Sequence, residues 1–398
     1  MTSHRVGLDI RMLQNSGIGT YLRGLLSGFR TLGLDKELAL FGLCGINLPL
    51  FTKEGNGEIL KIPLTPPFAK GDSASRKGLD LLSFTAPIYS IREQFQYPAR
   101  LNQCCLWHAP HYNVPLWKGK TKLVVTIHDI IHWIFRKQFL SPLQTAYAGF
   151  MLKKAVTSAD RIIAVSHHTK KDLMDHFHAP EQKITVIHEG VDENYRELPP
   201  EELRLAFEKI RGKYNVPQDF FLYVGLLKPH KNVLMLIRLF RKLKEQGKVR
   251  ASLVLIGRKD KTYPSGYEEL AALSSTKDIL HLPLIDRPEL NVFYNQALAL
   301  VHPSLYEGFG LTLLEAMCFG TPVLTTNSSS IPEVVGDAAL RVDATDEIAM
   351  MDALIRLDQD AKLRESLRLK GLERVKIFNW KETARKTHEV YEKVLVEK

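Results

Sequence analysis

Two carboxylates bracket a glycine turn in PSLYEGFGLTLLEAM, residues 303–317. Glu307 precedes Gly308-Phe309-Gly310, and Glu315 follows with seven residues between the two acids. An apolar run at 298–302 reads as a strand feeding the turn. A helical pattern at 311–319 leaves it, stopped by Gly320, and Pro322 opens the next strand. The amides of Phe309, Gly310, Leu311 and Thr312 therefore open a helix. Free N–H groups at a helix start, together with the positive end of the helix dipole, favour an anion. Glycines let the backbone come close to it. Glu315, about one turn into the helix, has the reach to accept two hydroxyl hydrogen bonds, as a ribose diol offers. Glu307 lies before the turn and can bind hydroxyls on whatever is joined to the other end of the anion. A diphosphate between a ribose and a sugar meets all three groups at once, and that is a nucleotide sugar. Spacing alone leaves a plainer reading open: an acid in a first helical turn favours the dipole, and glycine turns before helices are common without any ligand.

The elements that must position these residues are legible as alternation. Short β-rich apolar runs fall at 5–10, 38–43, 122–127, 161–165 and 184–188, and again at 220–225, 252–257, 278–282, 298–302 and 322–326. Helical patterns lie between them, at 18–30, 142–157, 168–177, 232–246 and 311–319. Strands alternating with helices across short loops imply parallel sheets covered on both faces. The number of strands fits two such sheets better than one. A charged seam with a proline pair, 193–220, separates the two series. The expected division is therefore an N-terminal domain over 1–200 and a C-terminal domain over 201–379. Segment 340–377 reads as polar and helical, and an amphipathic helix follows Phe378-Asn379-Trp380. Ligands of open parallel sheets bind beyond the carboxyl ends of the strands. Residues just after strands are thus the ones to inspect.

Composition sets bounds. With 398 residues, 45% hydrophobic and 25% charged, the chain has the balance of a globular protein with ample core. No segment has the apolar length of a membrane span. The start reads as a strand rather than a secretory signal, so a cytoplasmic location is expected. Cys44, Cys104, Cys105 and Cys318 show neither disulfide nor zinc spacing. The formal charge is +10, and the first 200 residues hold 24 basic against 17 acidic residues. That excess suits either an anionic partner, such as a phospholipid surface or lipid-phosphate acceptor, or a merely solubilising surface. The basic residues are dispersed and no nucleic-acid motif accompanies them, so nucleic acid is not an expected partner. His108, His111, His128 and His132 lack a persuasive ligand pattern for zinc. Asp358-Gln359-Asp360 has the D-x-D spelling of metal-dependent transferases, but it lies in a polar helical stretch and reads as a solvated helix end.

Glu307 and Glu315, in their setting, closely resemble the E-x7-E signature of retaining glycosyltransferases of family 4, which have the GT-B architecture. SGIGTYLRGLL (16–26) resembles the first glycine loop of that family, and VVTIHDIIH (124–132) its histidine-bearing strand end. ADRIIAVSHHTKKDL (159–173), ITVIHEGVD (184–192), YVGLLKPHKN (223–232) and SSSIPEVVGDAAL (328–340) match in the order of the family. FNWKETARKTHEVYEKVL (378–395) resembles its terminal helix, which crosses back to the first domain. The resemblance covers nearly the whole chain. It implies two Rossmann-like, doubly wound α/β domains facing a central cleft, with the helix at 380–398 completing the first.

The resemblance also implies roles. Gly17 and Gly19 would border the donor phosphate and the acceptor. Lys231 would hold the diphosphate, where negative charge grows as the bond to the sugar breaks. His128 would touch the donor sugar near the reaction centre. Taken without the family, Gly17 and Gly19 read first as a tight turn, Lys231 as a solvated lysine, and His128 as a hydrogen-bonded strand-end histidine. Many members carry an arginine directly after the glycine of YVGLLKPHKN, but here Leu226 follows Gly225, with Lys228 and His230 the nearest substitutes.

The expected activity is transfer of a hexose from a nucleotide diphosphate sugar to a glycan or lipid-linked glycan, with retention and without a catalytic metal or other cofactor. His128 and Glu307 would act by positioning and electrostatics. Gly17, Gly19, Lys231, Phe309, Gly310, Leu311, Thr312 and Glu315 would bind the donor. The style of YVGLLKPHKN resembles mannosyltransferases of polysaccharide and lipopolysaccharide synthesis, which puts GDP-mannose first and UDP-sugars next. The basic N-terminal half allows peripheral contact with the inner face of a membrane. The competing expectations are a sugar-nucleotide epimerase, a glycoside phosphorylase on the same fold, and a non-catalytic sugar-nucleotide or glycan-binding protein.

Overall fold

The computed structural model describes residues 6–15, 17–35, 38–42, 48–50, 58–60, 80–258 and 277–397. Arg5, Ser16, Leu43 and Cys44, which the sequence reading included, lie outside them. Among the described cysteines, Cys104, Cys105 and Cys318 are not joined in disulfides. The strands are, in chain order, Val6–Asp9 (β1), Leu38–Gly42 (β2), Leu48–Leu50 (β3), Glu58–Leu60 (β4), Asp80–Ser83 (β5), Leu106–Ala109 (β6), Lys122–Ile127 (β7), Arg161–Ala164 (β8), Ile184–Val186 (β9), Phe220–Val224 (β10), Ser252–Ile256 (β11), Ile279–Leu282 (β12), Ala299–His302 (β13), Val323–Thr326 (β14) and Leu340–Val342 (β15). Apart from a small antiparallel β3–β4 pair, they form two all-parallel sheets, ordered β5-β2-β1-β6-β7-β8-β9 and β12-β11-β10-β13-β14-β15. This is the α/β, two-domain architecture read from the alternation.

Two units divide the chain. One comprises Met1–Trp133, Leu140–Gly190 and Trp380–Lys398, and the other Ile134–Phe139 and Val191–Asn379. The division falls at Gly190–Val191, upstream of the proline pair that the sequence suggested as a linker. Pro199 and Pro200 instead start the helix Pro200–Tyr214, with Pro200 in its first turn. A missing N–H costs nothing there, and the fixed φ suits the helix.

In each unit the strand order reverses once. The first strand of each series, β1 or β10, is followed by strands laid to one side. Then β6 or β13 pairs on its other side. The crevice at such a reversal, beyond the strand ends, is where open α/β sheets bind ligands. Sequence reading missed β3, β4, β5, β6 and β15. All of β6 is buried, including His108, so its four residues offer no polar–apolar alternation.

The terminal helix Trp380–Val396 packs against the first helix, Ile18–Thr31, within the N-terminal unit. Glycines permit the approach: a Cβ on Gly24 would lie 2.0 Å from the Trp380 ring, and one on Gly28 would lie 2.2 Å from the Trp380 carbonyl. Tyr391 completes the contact, stacking on Phe29 and hydrogen-bonding His108 Nδ1 at 2.5 Å. The same substitution should therefore have opposite signs at two helical glycines. Gly24→Ala should destabilise the protein by about 1–3 kcal/mol, because the helix contact has no room for a methyl group. Gly212→Ala, where an added Cβ meets nothing within 4 Å, should stabilise it by up to about 1 kcal/mol. Urea unfolding of the two variants checks both signs.

Candidate functional site

The reversal in the C-terminal unit brings Lys231 and Glu307 together. After β10 the chain turns through Pro229–Lys231 into the helix Val233–Glu245, and after β13 it runs through Pro303 and Ser304 to Glu307. Lys231 Nζ donates to both carboxylate oxygens of Glu307, at 2.6 Å to Oε1 and 2.8 Å to Oε2. His302 Nε2 and Ser304 Oγ each donate to Oε1, both at 2.6 Å. Among the described residues Oε1 thus accepts three hydrogen bonds and Oε2 one, from Lys231, which leaves Oε2 a lone pair for another donor. Glu307 is buried. Burial pushes its carboxyl up, yet the charges of Lys231 and His302 and their hydrogen bonds outweigh this and hold it well below the usual carboxylate range. The site keeps a fixed negative charge under a lysine that has used two of its three donors.

The loop carrying Glu307 is pinned from SSSIPEVV. Ser329, in the left-handed region at φ 50°, accepts the Glu307 amide at 2.7 Å. Ser330 Oγ bonds the carbonyls of Glu307 and Phe309, at 2.9 and 3.1 Å. Thr325 and Thr326 of β14 tie down the carbonyls of His302 and Ser304. Gly310, at φ 105°, precedes the helix Leu311–Cys318 in a conformation that glycine adopts readily. Helix geometry leaves the amides of Gly310, Leu311 and Thr312 without an intrahelical acceptor, while Leu313 already bonds the Gly310 carbonyl at 3.0 Å. The Phe309 ring is buried and meets Phe378 edge-on, so the side chain belongs to the core.

Glu315, on that helix, has partners the sequence did not reveal. Arg287 Nη2 donates to Oε1 at 2.6 Å and the Tyr294 hydroxyl to Oε2 at 3.1 Å. Arg287 lies over the Tyr195 ring at 4.8 Å, with its side chain 42% exposed. Each Glu315 oxygen keeps a second lone pair for a diol. The position after Gly225 remains apolar Leu226. Of the suggested substitutes, His230 is buried against the rings of Phe135 and Phe139, at 6.0 and 5.6 Å, and Lys228 is half-buried. An exposed cation does stand one strand over. Arg258 follows Gly257 after β11, and its carbonyl accepts the Leu227 amide at 3.2 Å. The D-x-D acids are structural: Asp358, inside the helix Glu347–Gln359, accepts the amides of Arg250 and Ala251, and Asp360 caps the next helix by accepting that of Leu363.

In the N-terminal unit, His128 follows β7. Its Nδ1 pairs with Glu189 Oε1 at 2.8 Å, and its Nε2 is buried without a hydrogen-bond partner among the described residues. A carboxylate at Nδ1 holds the proton there and leaves Nε2 as an acceptor. The Tyr21 ring meets His128 edge-on at 4.8 Å, linking it to the helix that follows Gly17 and Gly19. Gly17 has φ 75°, a turn conformation. Gly19 is required by a close approach of backbone, since a Cβ there would lie 2.4 Å from the Leu13 carbonyl. Two other histidines do structural work. His108 is buried between Thr126 and Tyr391, and burial, with the charge of His128, lowers it to about 3. His111 is lowered to about 3 by burial, with His128 and His132 adding to it. At the β1–β6 reversal a small pocket, with room for about one water molecule, is lined by Asp9, Arg11, Met12, Ile88, Pro110, His111 and Asn113. Arg11 is spent on its surroundings, bonding Asp9, Glu93, Tyr97 and the Ala86 carbonyl.

Sequence reading named Lys231, Glu307, Glu315 and His128 as candidates but missed what holds each in place. His302 and Ser304 sit in the very run that carries Glu307, where His302 read only as a strand residue. Glu189, Arg287 and Tyr294 are distant in sequence from their partners and left no local signal.

Known proteins resemble this chain in sequence and in fold. Residues 16–195 match the sequence model of Glycosyltransferase Family 4, and residues 206–374 that of Glycosyl transferases group 1. O-antigen chain mannosyltransferase B of Escherichia coli is 29% identical over 287 residues, covering 72% of this chain and 74% of its own. O-antigen chain mannosyltransferase RfbU of Salmonella typhimurium is 30% identical over 251 residues, covering 63% of this chain and 64% of its own. Among solved structures, the sucrose-phosphate synthase of Thermosynechococcus elongatus superposes with a TM-score of 0.72 at 19% identity, covering 98% of this chain and 99% of its own. WaaG, a glycosyltransferase involved in lipopolysaccharide biosynthesis, gives 0.69 at 15% identity, covering 97% and 99%. At those identities the structural likeness bears on the fold alone. Between them the two sequence models span most of the chain, which belongs to the group 1 glycosyltransferases of GT-B fold.

Proposed function

We propose that the protein transfers a hexose, with mannose the first candidate, from a nucleoside diphosphate sugar to a glycan or lipid-linked glycan, retaining the anomeric configuration and using no metal. The observation that carries this reading is the Lys231–Glu307 pair at the β10–β13 reversal, beside the open amides of Gly310–Thr312. The third donor of Lys231 reaches a phosphate oxygen without breaking its pair with Glu307. With the helix amides, it stabilises charge on the departing diphosphate in place of a metal ion. The remaining capacity of Glu307 Oε2 takes a hydroxyl of the sugar, and Glu315 takes the ribose. His128 Nε2 accepts a hydrogen bond from a substrate hydroxyl, and Glu189 keeps it oriented for that. Attack comes from the face the diphosphate leaves, and the diphosphate helps to remove the proton of the acceptor. The mannosyltransferase names of the relatives support GDP-mannose as the donor. The structurally similar HepE of Anabaena, solved in complex with UDP-glucose, keeps UDP-sugars in the test panel. The acceptor would meet the N-terminal unit, at the cytoplasmic face of a membrane if it is lipid-linked.

A melting screen against nucleotide sugars tests the donor. A ligand that binds only the folded chain at 100 times its Kd adds about 2.7 kcal/mol of stability, so GDP-mannose should give the largest rise in Tm. No rise with any nucleotide sugar would overturn the reading. Turnover should survive chelation of divalent cations, and NMR of the first product should show the anomeric configuration of the donor. Epimerisation with donor alone, or turnover that needs inorganic phosphate, would redirect the assignment.

Three variants test the roles. Truncating Glu307 to alanine would strand Lys231 and buried His302, so Glu307→Gln is the cleaner substitution. It should lower kcat by about 100-fold or more while the nucleotide diphosphate still binds. Lys231→Ala should weaken donor binding by about 10- to 100-fold in calorimetry. Glu189→Gln should lower kcat by about 10-fold or more with little change in donor KM. In ¹⁵N-histidine spectra it should also remove the uniform Nδ1-protonated signature of His128, identified against His128→Asn. An unchanged signature would reduce Glu189 to a packing residue.

A further inference from the structure

One short stretch of chain belongs to a different unit from its neighbours. Trp133 and Leu140 lie in the N-terminal unit, but Ile134–Phe139 between them belongs to the C-terminal unit. The expected division at residue 200 gives no sign of this. The chain enters the stretch directly after the loop of His128, where the Asp129 carboxylate accepts the Ile131 amide at 2.9 Å at the start of the helix Ile131–Ile134. Trp133 is anchored in the N-terminal unit. Its ring lies 5.3 Å from that of Phe177, and a Cβ on Gly149 would lie 2.7 Å from it. Ile134 alone separates that anchored ring from Phe135, which packs in the C-terminal unit.

The partners of Phe135 tie it to the candidate site. Its ring lies 6.0 Å from that of His230 and meets Tyr306 edge-on at 6.3 Å. His230 immediately precedes Lys231, and Tyr306 immediately precedes Glu307. Phe139 adds a second ring, stacked on Phe135 at 5.7 Å and edge-on to His230 at 5.6 Å. Aromatic rings in such arrangements attract one another beyond the area they bury. The His230 carbonyl also accepts the Leu305 amide at 2.7 Å, a main-chain bond from the loop after β10 to the loop after β13. One ring therefore bears on the residues that lead into both members of the Lys231–Glu307 pair.

A ring that only filled core would be buried on all sides. His230 and Tyr306 are buried, at 4% and 6% exposure, but Phe135 is half-buried and spends its covered surface on these neighbours of the pair. The pair tolerates little movement. Lys231 Nζ reaches two oxygens of Glu307 at 2.6 and 2.8 Å, and hydrogen bonds weaken steeply once distance or angle departs from the optimum. A shift of about 1 Å in either loop would open it, and a misplacement of that size can cost about 100-fold in rate.

We propose that Phe135 is a positioning residue for the Lys231–Glu307 pair: through His230 and Tyr306 it fixes the spacing of the two loops that carry them. What the pair binds rests on the proposed function; the positioning role does not. The test uses the full chain with Phe135→Ala and with Phe135→Tyr, which keeps the ring. The first measurement needs no donor. A small activated acetyl ester should modify Lys231 at least about 10-fold faster in Phe135→Ala than in wild type or Phe135→Tyr, the order expected when a charge-assisted hydrogen bond is lost. Peptide mass spectrometry reads this against the other lysines, whose rates should not change. The second measurement is calorimetry with GDP or UDP, whichever the wild type binds more tightly. Phe135→Ala should weaken binding by about 10-fold, but by much less when Lys231→Ala is already present, because the effect passes through that lysine. If Phe135→Ala does not fold, Phe135→Leu, which loses the ring and keeps most of the bulk, replaces it in both measurements. Equal modification of Lys231 in wild type and the ring-less variant overturns the proposal. So does a Phe135→Tyr protein as reactive at Lys231 as the ring-less one, or a loss of affinity that is the same with and without Lys231. A wild type that binds neither diphosphate, with Lys231 still uncovered by loss of the ring, would overturn the functional reading and leave the positioning role standing.

Discussion

The buried carboxylate of Glu307 is the constraint around which the C-terminal unit is organised. Taking such a group out of water costs several kcal/mol unless charges and hydrogen bonds replace its hydration. Here three donors come from two strand ends, Lys231 from one and His302 and Ser304 from the other. The segment that carries His302, Ser304 and Glu307 is itself held. Threonines of the next strand fix the His302 and Ser304 carbonyls, and serines of the following loop fix the backbone of Glu307. Three successive parallel segments thus cooperate to present one oxygen with spare capacity. A site preorganised in this way meets developing charge without having to rearrange.

The N-terminal unit repeats the logic with a different group. His128 is oriented by a buried carboxylate, and the helix after the glycine loop presses Tyr21 against its ring. That helix is backed by the terminal helix through glycines at which no side chain fits. The last residues of the chain therefore support a residue near its first third. The support runs through packing: Trp380 on Gly24, Tyr391 on His108, and His108 on Thr126, which also bonds Tyr21.

What the sequence disclosed follows from the range of the interactions involved. Parallel strands buried on both faces read as apolar runs, so most of both sheets was legible. β6 was not, because its character as a strand depends on β1 and β7 beside it and on the distant Tyr391, which satisfies its buried His108. The glycine turn and both acids of the E-x7-E stretch were legible because their spacing is local. Glu189 lies 61 residues from His128, and Arg287 lies 28 from Glu315. No periodicity or spacing rule connects residues so far apart. His302 was close enough to see but was hidden by its place on a strand. Pro199-Pro200 misled for a related reason, since a proline pair breaks regular structure in most places yet opens a helix when it occupies the first turn.

Glu307 and Glu315 differ in a way that bears on the donor site proposed above. Glu307 is paired with a lysine that is itself mostly buried and with a histidine that is almost fully buried. Glu315 is paired with an arginine whose side chain is 42% exposed and stacked on Tyr195. Water screens a half-exposed ion pair and leaves it little net strength, so a ribose diol can share or displace Arg287 at small cost. The partners of Glu307 cannot be displaced so cheaply, because each would leave a buried charge uncompensated. In the proposed reading, the sugar end of the site is therefore rigid and the nucleoside end adaptable. A rigid group is useful where bonds break. An adaptable one suffices where the ligand only has to be gripped and then released.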